Sequence, residues 1–440
     1  MAPYIMGFLR SRTDNNLEAS QAIWLSALAL GIQGISVPLG GFVARKFGYR
    51  LVLVISCLME SGGIMLTHFT IQKSFLATVL SYSLMKGAGF SFGYSVALAV
   101  ASAWFPERKG LVMGIIVGGF GLGSLIFTPI QTAFINPHNI PVDNATRQFT
   151  DERVLEKVPS VFLLLGTVLL SIQCIALCMI RKEKPTWDGW HDGNCGNKWE
   201  TNTYPTTTYK FNKNSLNAII MKTTYTINNL NPPNNVQLHL SPSKPLEKNL
   251  TPKYVIRRLD FYLLWLVMFC SIIPITLITA SYKYFGQVFI SDDQFLTAVA
   301  TSSAVFNFGG RIMWGSLVDR FSFKLPFCAL FITWAALLLT FPHLAATSGI
   351  AAKILYTIWV CSIFVCLSGI FSIMPVATSI LFGQANLAIN YGLIYPAFSF
   401  GGLLSALINS LLAKQQSYVN QYTASGIVCL CGECILKTAV

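Results

Sequence analysis

Apolar runs of about 20 residues recur along this chain, separated by short polar breaks. They fall near 22–42, 51–69, 75–104, 109–134 and 159–180, then near 260–285, 294–318, 325–345, 350–382, 386–413 and 423–440. Each is long enough to cross a bilayer as a helix, so the pattern predicts an all-α, multi-pass membrane protein. Residues 1–10, MAPYIMGFLR, read as the tail of one more helix. The final run carries Glu433 and Lys437 and stops at Val440. The expected architecture is two six-helix halves, with the first helix largely missing and the last one short.

Residues 181–258 break the pattern. They are rich in Asn, Thr, Lys and Pro, too polar to span a membrane, and read as a flexible hydrophilic linker. The expected organisation is a membrane half over 1–180, a cytoplasmic linker over 181–258 and a second membrane half over 259–440.

Composition agrees with the hydropathy pattern. The chain is 53% hydrophobic and 11% charged, against about 25% charged in soluble domains. A cleavable leader is short and N-terminal, whereas these apolar segments run the whole length. The net charge of +13 does not point to nucleic acid, because the bases lie between apolar segments rather than in a soluble patch. That placement is the positive-inside signal of membrane topology. With 43–50 cytoplasmic, Arg45, Lys46, Arg50, Arg108, Lys109, the linker, Arg320 and Lys324 all fall inside. Asn144 of the Asn-Ala-Thr sequon then faces outside as a glycosylation site, which points to the secretory route and the plasma membrane. The sequon at Asn249 stays bare in the linker.

Most of the eleven cysteines sit inside apolar runs as small buried hydrophobes. Cys431 and Cys434 form a CxxC without a second pair, so no metal site is expected, and nothing calls for a cofactor. No apolar segment pairs two acids, or a histidine with an acid, at a spacing suited to hydrolysis. An enzyme is not expected.

Two loop-flanking stretches repeat. Residues 41–50 read GFVARKFGYR and residues 315–324 read GSLVDRFSFK. Both follow Gly, any residue, Val or Leu, Ala or Val, a charge, a base, Phe, a small residue, an aromatic and a base. Both come after the second helix of their half, as in transporter halves related by pseudo-symmetry. Gly41 and Gly315 let helices approach closely, Asp319 can sit against a helix N-terminus, and Arg45, Lys46, Arg50, Arg320 and Lys324 hold to the cytoplasmic face. The motif resembles the signature loop of the major facilitator superfamily, G-x-L-A-D-R-x-G-R-R. Arg45 replaces the acid in the first copy, which leaves the gating role of that loop to the second.

Residues 104–123, WFPERKGLVMGIIVGGFGLG, together with GYSVALA at 93–99 and NYGLIYPAF at 390–398, look like the oxalate/formate antiporter family and the related monocarboxylate transporters. Glycines 110, 114, 118 and 119 leave one face of the fifth helix nearly bare, for tight packing or for a cavity wall. The resemblance implies a twelve-helix fold with a central site alternately open to each side. Its partners would be a small carboxylate substrate, a proton or counter-anion, and the lipid bilayer.

Intramembrane ionisable residues are the first candidates for such a site: Glu60, Lys86 and Arg311. Arg311 lies about 12 Å from the end of its helix by helical rise, and its guanidinium suits a planar carboxylate. The resemblance implies an arginine here that binds the substrate carboxylate. Relatives tend to carry an aspartate four residues earlier, where this chain has Asn307, which bonds without neutralising. Dicarboxylate exchangers carry a lysine after a Tyr-Thr-Ala stretch, where this chain has Tyr395-Pro396-Ala397 and then Phe398. One cation suits one carboxylate, so a monocarboxylate is expected over oxalate unless Lys86 supplies the second charge. Tyr94, Tyr391 and Tyr395 are candidate cavity walls. Counting rise from the helix ends puts Glu60 and Lys86 at different depths, which argues against a pair. The competing expectation is a transporter-like protein without transport, should the first helix be truly absent.

Overall fold

A computed structural model describes residues 2–13, 17, 22–137, 151–180, 249–290, 292–412 and 418–438. These belong to one unit, Met1–Glu183 with Lys248–Val440, while Lys184–Glu247 lies outside the described residues. Asn144 also lies outside them.

The helices follow the hydropathy pattern. They are α1 (Ala2–Arg12), α2 (Ala22–Phe47), α3 (Tyr49–Thr70), α4 (Phe75–Ala103), α5 (Lys109–Ile135) and α6 (Val158–Met179). After the linker come α7 (Leu259–Gly286), α8 (Asp293–Phe321), α9 (Lys324–Thr340) and α10 (Gly349–Phe382). α11 follows in two pieces, Leu387–Ile394 and Pro396–Leu412, and then α12 (Tyr418–Thr438). Among the described residues nine of these, α2–α7 and α9–α11, are long and apolar enough to cross a membrane. α8 is as long as its neighbours but carries Asp293, Arg311, Asp319 and Arg320. α12, expected to be short, runs for 21 residues. Its first turn is polar but packs, because Tyr422 is fully buried and shares a hydroxyl hydrogen bond with Ser281 of α7. Glu433 and Lys437 pair one turn apart at 2.6 Å.

Among the described residues, two helix pairs make the most extensive contacts between the halves. α2 lies along α11, and α5 lies along α8. Glycine makes both contacts close: a methyl on Gly110 would strike the carbonyl of Gly315, and one on Gly41 would sit 2.9 Å from the carbonyl oxygen of Ala388. Gly110, Gly114 and Gly118 share one face of α5, and each abuts α8, at Gly315, Arg311 and Phe308 respectively.

The loop repeat is also a repeat of backbone shape. Gly48 turns out of α2 at φ 88°, and Ser322, at the same place in the second copy, leaves α8 at φ 59°. Asp319 accepts hydrogen bonds from the amides of Gly110 at 2.7 Å and Leu111 at 2.8 Å, so it caps the start of α5. A carboxylate there meets the positive end of a helix dipole. Arg45, Lys46, Asp319 and Arg320 are exposed and Lys324 is half-buried. Arg50 reaches the carbonyl of Ile180 just past α6, at 3.4 Å.

Residues 249–258, counted in the linker from their polarity, are anchored here. Pro252–Val255 form a helical turn with both ends buried, and Leu250 donates to the carbonyl of Phe382 at 2.8 Å. The polarity that suggested a flexible segment is spent on hydrogen bonds to the ends of α10 and α11.

Candidate anion site between the halves

Arg311 is 4% exposed although it sits in the middle of a membrane helix. A guanidinium at that depth costs several kcal/mol unless its donors are satisfied. Nε donates to Asn307 Oδ1 at 3.0 Å, one turn back on α8. Nη1 donates to the carbonyl of Val117 on α5. That second bond exists because Gly114 and Gly118 let α8 lie against the backbone of α5. Nη2 donates to no acceptor among the described residues, and no carboxylate forms an ion pair with Arg311. Among the described residues the charge is held by dipoles, without a counter-ion.

Aromatic rings close a circuit around it. The guanidinium carbon lies 5.9 Å from the ring of Phe120 and 5.0 Å from that of Phe371, within cation–π range. From Phe120 the ring centroids run to Phe90 at 5.5 Å, then to Tyr94 at 5.6 Å, then to Tyr395 at 5.7 Å. They return through Phe398 at 5.2 Å and Phe371 at 5.6 Å. Tyr391 stacks into the same wall, 6.2 Å from Tyr94 and 5.9 Å from Tyr395. α4 and α5 of the first half, and α8, α10 and α11 of the second, each contribute.

Helix periodicity places these rings. Phe90 and Tyr94 are one turn apart on α4, and Tyr391 and Tyr395 one turn apart on α11. Pro396 lacks a backbone amide, so α11 is interrupted at Tyr395. The Tyr395 hydroxyl donates to Gln33 Oε1 on α2 at 3.0 Å. The Tyr391 hydroxyl is buried and makes no hydrogen bond of regular geometry. An arginine with a spare nitrogen inside an aromatic wall is suited to hold a small anion with an apolar body.

Arg311, Asn307, Tyr94, Tyr391, Tyr395 and Phe398 thus stand together. Reading the sequence missed Phe90, Phe120, Phe371, Gln33 and the Val117 carbonyl. Phe90 was within reach, being one turn from Tyr94. Nothing local marks Phe371 or Gln33.

Glu60 and Lys86 stand apart from this circuit. A methyl on Gly63 would lie 2.8 Å from the Lys86 amide nitrogen, and Gly89 packs on the backbone of Glu60. The two ionisable residues are therefore at nearly one level, against the expectation. That expectation took the inner ends of α3 and α4 as level, and they are not. Glu60 accepts from Gln173 Nε2 at 3.0 Å, and Lys86 Nζ rests 4.2 Å over the ring of Tyr82.

The motif loops form a seam at the base-rich end. Besides the Asp319 cap, Gln384 in the turn after α10 donates to the Ala99 carbonyl at 3.1 Å and to Ser102 Oγ at 2.8 Å, at the end of α4. Beyond the arginine the α5–α8 contact opens, and a methyl on Gly119, Gly123 or Gly309 would meet nothing within 4 Å. On the α2–α11 side the halves stay in contact past Gln33, where Ser399 Oγ donates to the Leu30 carbonyl at 2.6 Å and a methyl on Gly31 would sit 3.2 Å from Leu403.

Comparison with known proteins agrees with this architecture. The family model of the Major Facilitator Superfamily matches residues 2–406. The chain belongs to the major facilitator superfamily. It is 23% identical to the apicoplast pyruvate carrier 1 of Toxoplasma gondii over 438 residues, 96% of this chain and 74% of that one. It is 24% identical to the oxalate:formate antiporter of Oxalobacter formigenes over 402 residues, 90% of this chain and 78% of that one. Among solved structures, the fucose:proton symporter of E. coli superposes with a TM-score of 0.64 at 12% identity, covering 100% of this chain and 95% of that one. At that identity the likeness establishes the fold. Superfamily membership makes the chain an integral membrane transporter of two pseudo-symmetric helical halves.

Proposed function

We propose that this transporter carries small monocarboxylates, with Arg311 as the single anchor for the carboxylate. The observation that carries the reading is a buried guanidinium between the halves, with no acidic partner among the described residues and an aromatic wall around it. A carboxylate supplies the missing counter-charge and accepts from the free nitrogen, while a short apolar chain packs on Phe120, Phe371 and Phe398. Of the acids named in the relatives' titles, pyruvate and formate are monocarboxylates and oxalate is a dicarboxylate. Phe398, a ring where a second cation would be needed, favours one carboxylate over two.

On this reading, residues 1–180 and 259–440 are the membrane halves that rock about the site. Residues 181–258 are a cytoplasmic linker, although 249–258 are anchored to the second half. Gly41, Gly315 and Asp319 belong to the seam that opens and closes on the cytoplasmic side, with Arg45, Lys46, Arg50, Arg320 and Lys324 holding it there. A proton or a counter-anion would balance the charge moved. Export to the plasma membrane rests on the sequon at Asn144, and a glycosidase shift abolished by Asn144→Gln is its test.

The reading is tested by uptake of labelled pyruvate, lactate, acetate, formate and oxalate into proteoliposomes. Arg311→Ala is expected to cost about 30-fold or more in transport of the preferred acid, because truncating a buried charge partner costs about 2–5 kcal/mol. Arg311→Lys keeps the charge and loses the fork, so partial activity is expected. Undiminished uptake by Arg311→Ala refutes the anchor, and oxalate preferred over every monoacid refutes the role given to Phe398.

A further inference from the structure

The two copies of the loop repeat make the same helix contact but finish it differently. Gly315 packs on Gly110 and Leu111, and Asp319, one turn later, caps those two residues. Gly41 packs in the same way on Ala388 and Ile389, but the residue one turn later is Arg45, which cannot accept a hydrogen bond. The start of α11 therefore lacks the acid that the start of α5 has.

The residues following the linker stand in its place. Asn249 Oδ1 accepts from the amide of Ala385 at 3.1 Å. The Leu250 carbonyl accepts from Asn386 Nδ2 at 3.1 Å and from Asn390 Nδ2 at 3.2 Å, while its amide donates to Phe382. These bonds fasten both sides of one turn, which leaves α10 at Gly383 with φ 90°. The side chain at the centre of that turn is Gln384. It is 8% exposed, receives a hydrogen bond from Ser379 and donates both of its own across to α4 of the other half.

We propose that Asn249 and Leu250 are positioning residues for the base-rich seam. They hold the 383–386 turn so that Gln384 stays seated on α4, and by this route they replace the acid lost at Arg45. The inference does not depend on which substrate is carried.

Hydrogen–deuterium exchange of the full chain in lipid nanodiscs tests it without any substrate. Asn249→Ala removes one bond, and adding Leu250→Pro removes the amide donor as well. Exchange is expected to rise about fivefold per lost bond, over 383–390 and also over 99–105 at the end of α4, which Asn249 does not touch. Arg45→Asp in the same background places a carboxylate beside the amide of Ala388, that of Ile389 being bonded to the Asn386 carbonyl, and is expected to return 99–105 towards the parent rate. Asn249→Asp keeps the acceptor and should exchange like the parent. A rise confined to 383–390, or no recovery with Arg45→Asp, overturns the proposal. If the double variant does not fold, Asn249→Ala decides alone: unchanged exchange over 99–105 overturns it.

Discussion

Asn307→Asp turns the neighbour of the anchoring arginine into a competitor for it. The side chain at this position already receives a hydrogen bond from Arg311 Nε at 3.0 Å, so an aspartate needs no rearrangement to form an ion pair. With the charges about 4 Å apart and an effective dielectric near 20, their attraction is about 4 kcal/mol. A substrate carboxylate would then bind an arginine already neutralised. If half of that attraction is lost to the substrate, about 2 kcal/mol, affinity falls about 30-fold. Protonating the aspartate frees the guanidinium, so uptake by the variant should climb as pH falls towards the carboxylate range. The parent, with an amide at this position, lacks that particular dependence. The assay is counterflow of the preferred monoacid in proteoliposomes at matched internal and external pH, with KM taken at several pH values. A KM within twofold of the parent at neutral pH, with no added pH dependence, would show that the substrate does not use Arg311.

Three further outcomes follow from the same geometry. Phe398→Lys adds a second cation to the aromatic circuit, and competition of oxalate against the preferred monoacid should rise at least tenfold relative to the parent. Ser322→Gly relieves a non-glycine residue held at φ 59° and should stabilise the protein by about 1 kcal/mol, read as a higher melting temperature in detergent, whereas Gly48→Ala, at φ 88°, should lower it. At the opposite end, Asp292 caps α8 through the amide of Phe295 and pairs with Lys353 at 2.7 Å. These bonds, that to Lys353 foremost, hold its carboxyl below the ordinary value. A lowered carboxylate stabilises the fold above the unfolded value of about 3.9 and loses that contribution as pH falls through its own lower value. Melting temperatures of Asp292→Asn and the parent should therefore differ at pH 7 and converge at the acid end, and a constant difference would refute the pairing.

The number of helices, their bounds and the two-half plan are written in the sequence, because a bilayer demands about 20 apolar residues per crossing and the chain obeys at nearly every segment. The loop repeat is legible for a related reason: a glycine at a helix crossing and a charge one turn later are local requirements. Arg311 stood out because a lone cation in an apolar run is expensive wherever it occurs.

Other features depended on how the helices pack. The Val117 carbonyl is a backbone atom, so no side chain could announce it, and it reaches Arg311 because glycines on a different helix remove the bulk between them. Phe371 and Gln33 look like any membrane-helix residues until α10 and α2 are packed against their neighbours. Glu60 and Lys86 lie at nearly one level because α3 and α4 are staggered, and counting residues from helix ends does not measure stagger. The substitution of Asn249 and Leu250 for a missing acid lies furthest from the sequence. Position 45 carries an arginine where the second copy has Asp319, and the bonds proposed in its place come from a segment more than 200 residues away, whose polarity suggested that it was bound to nothing. Local chemistry determined which helices form and where a charge is costly. Packing between distant helices decided which groups meet that charge.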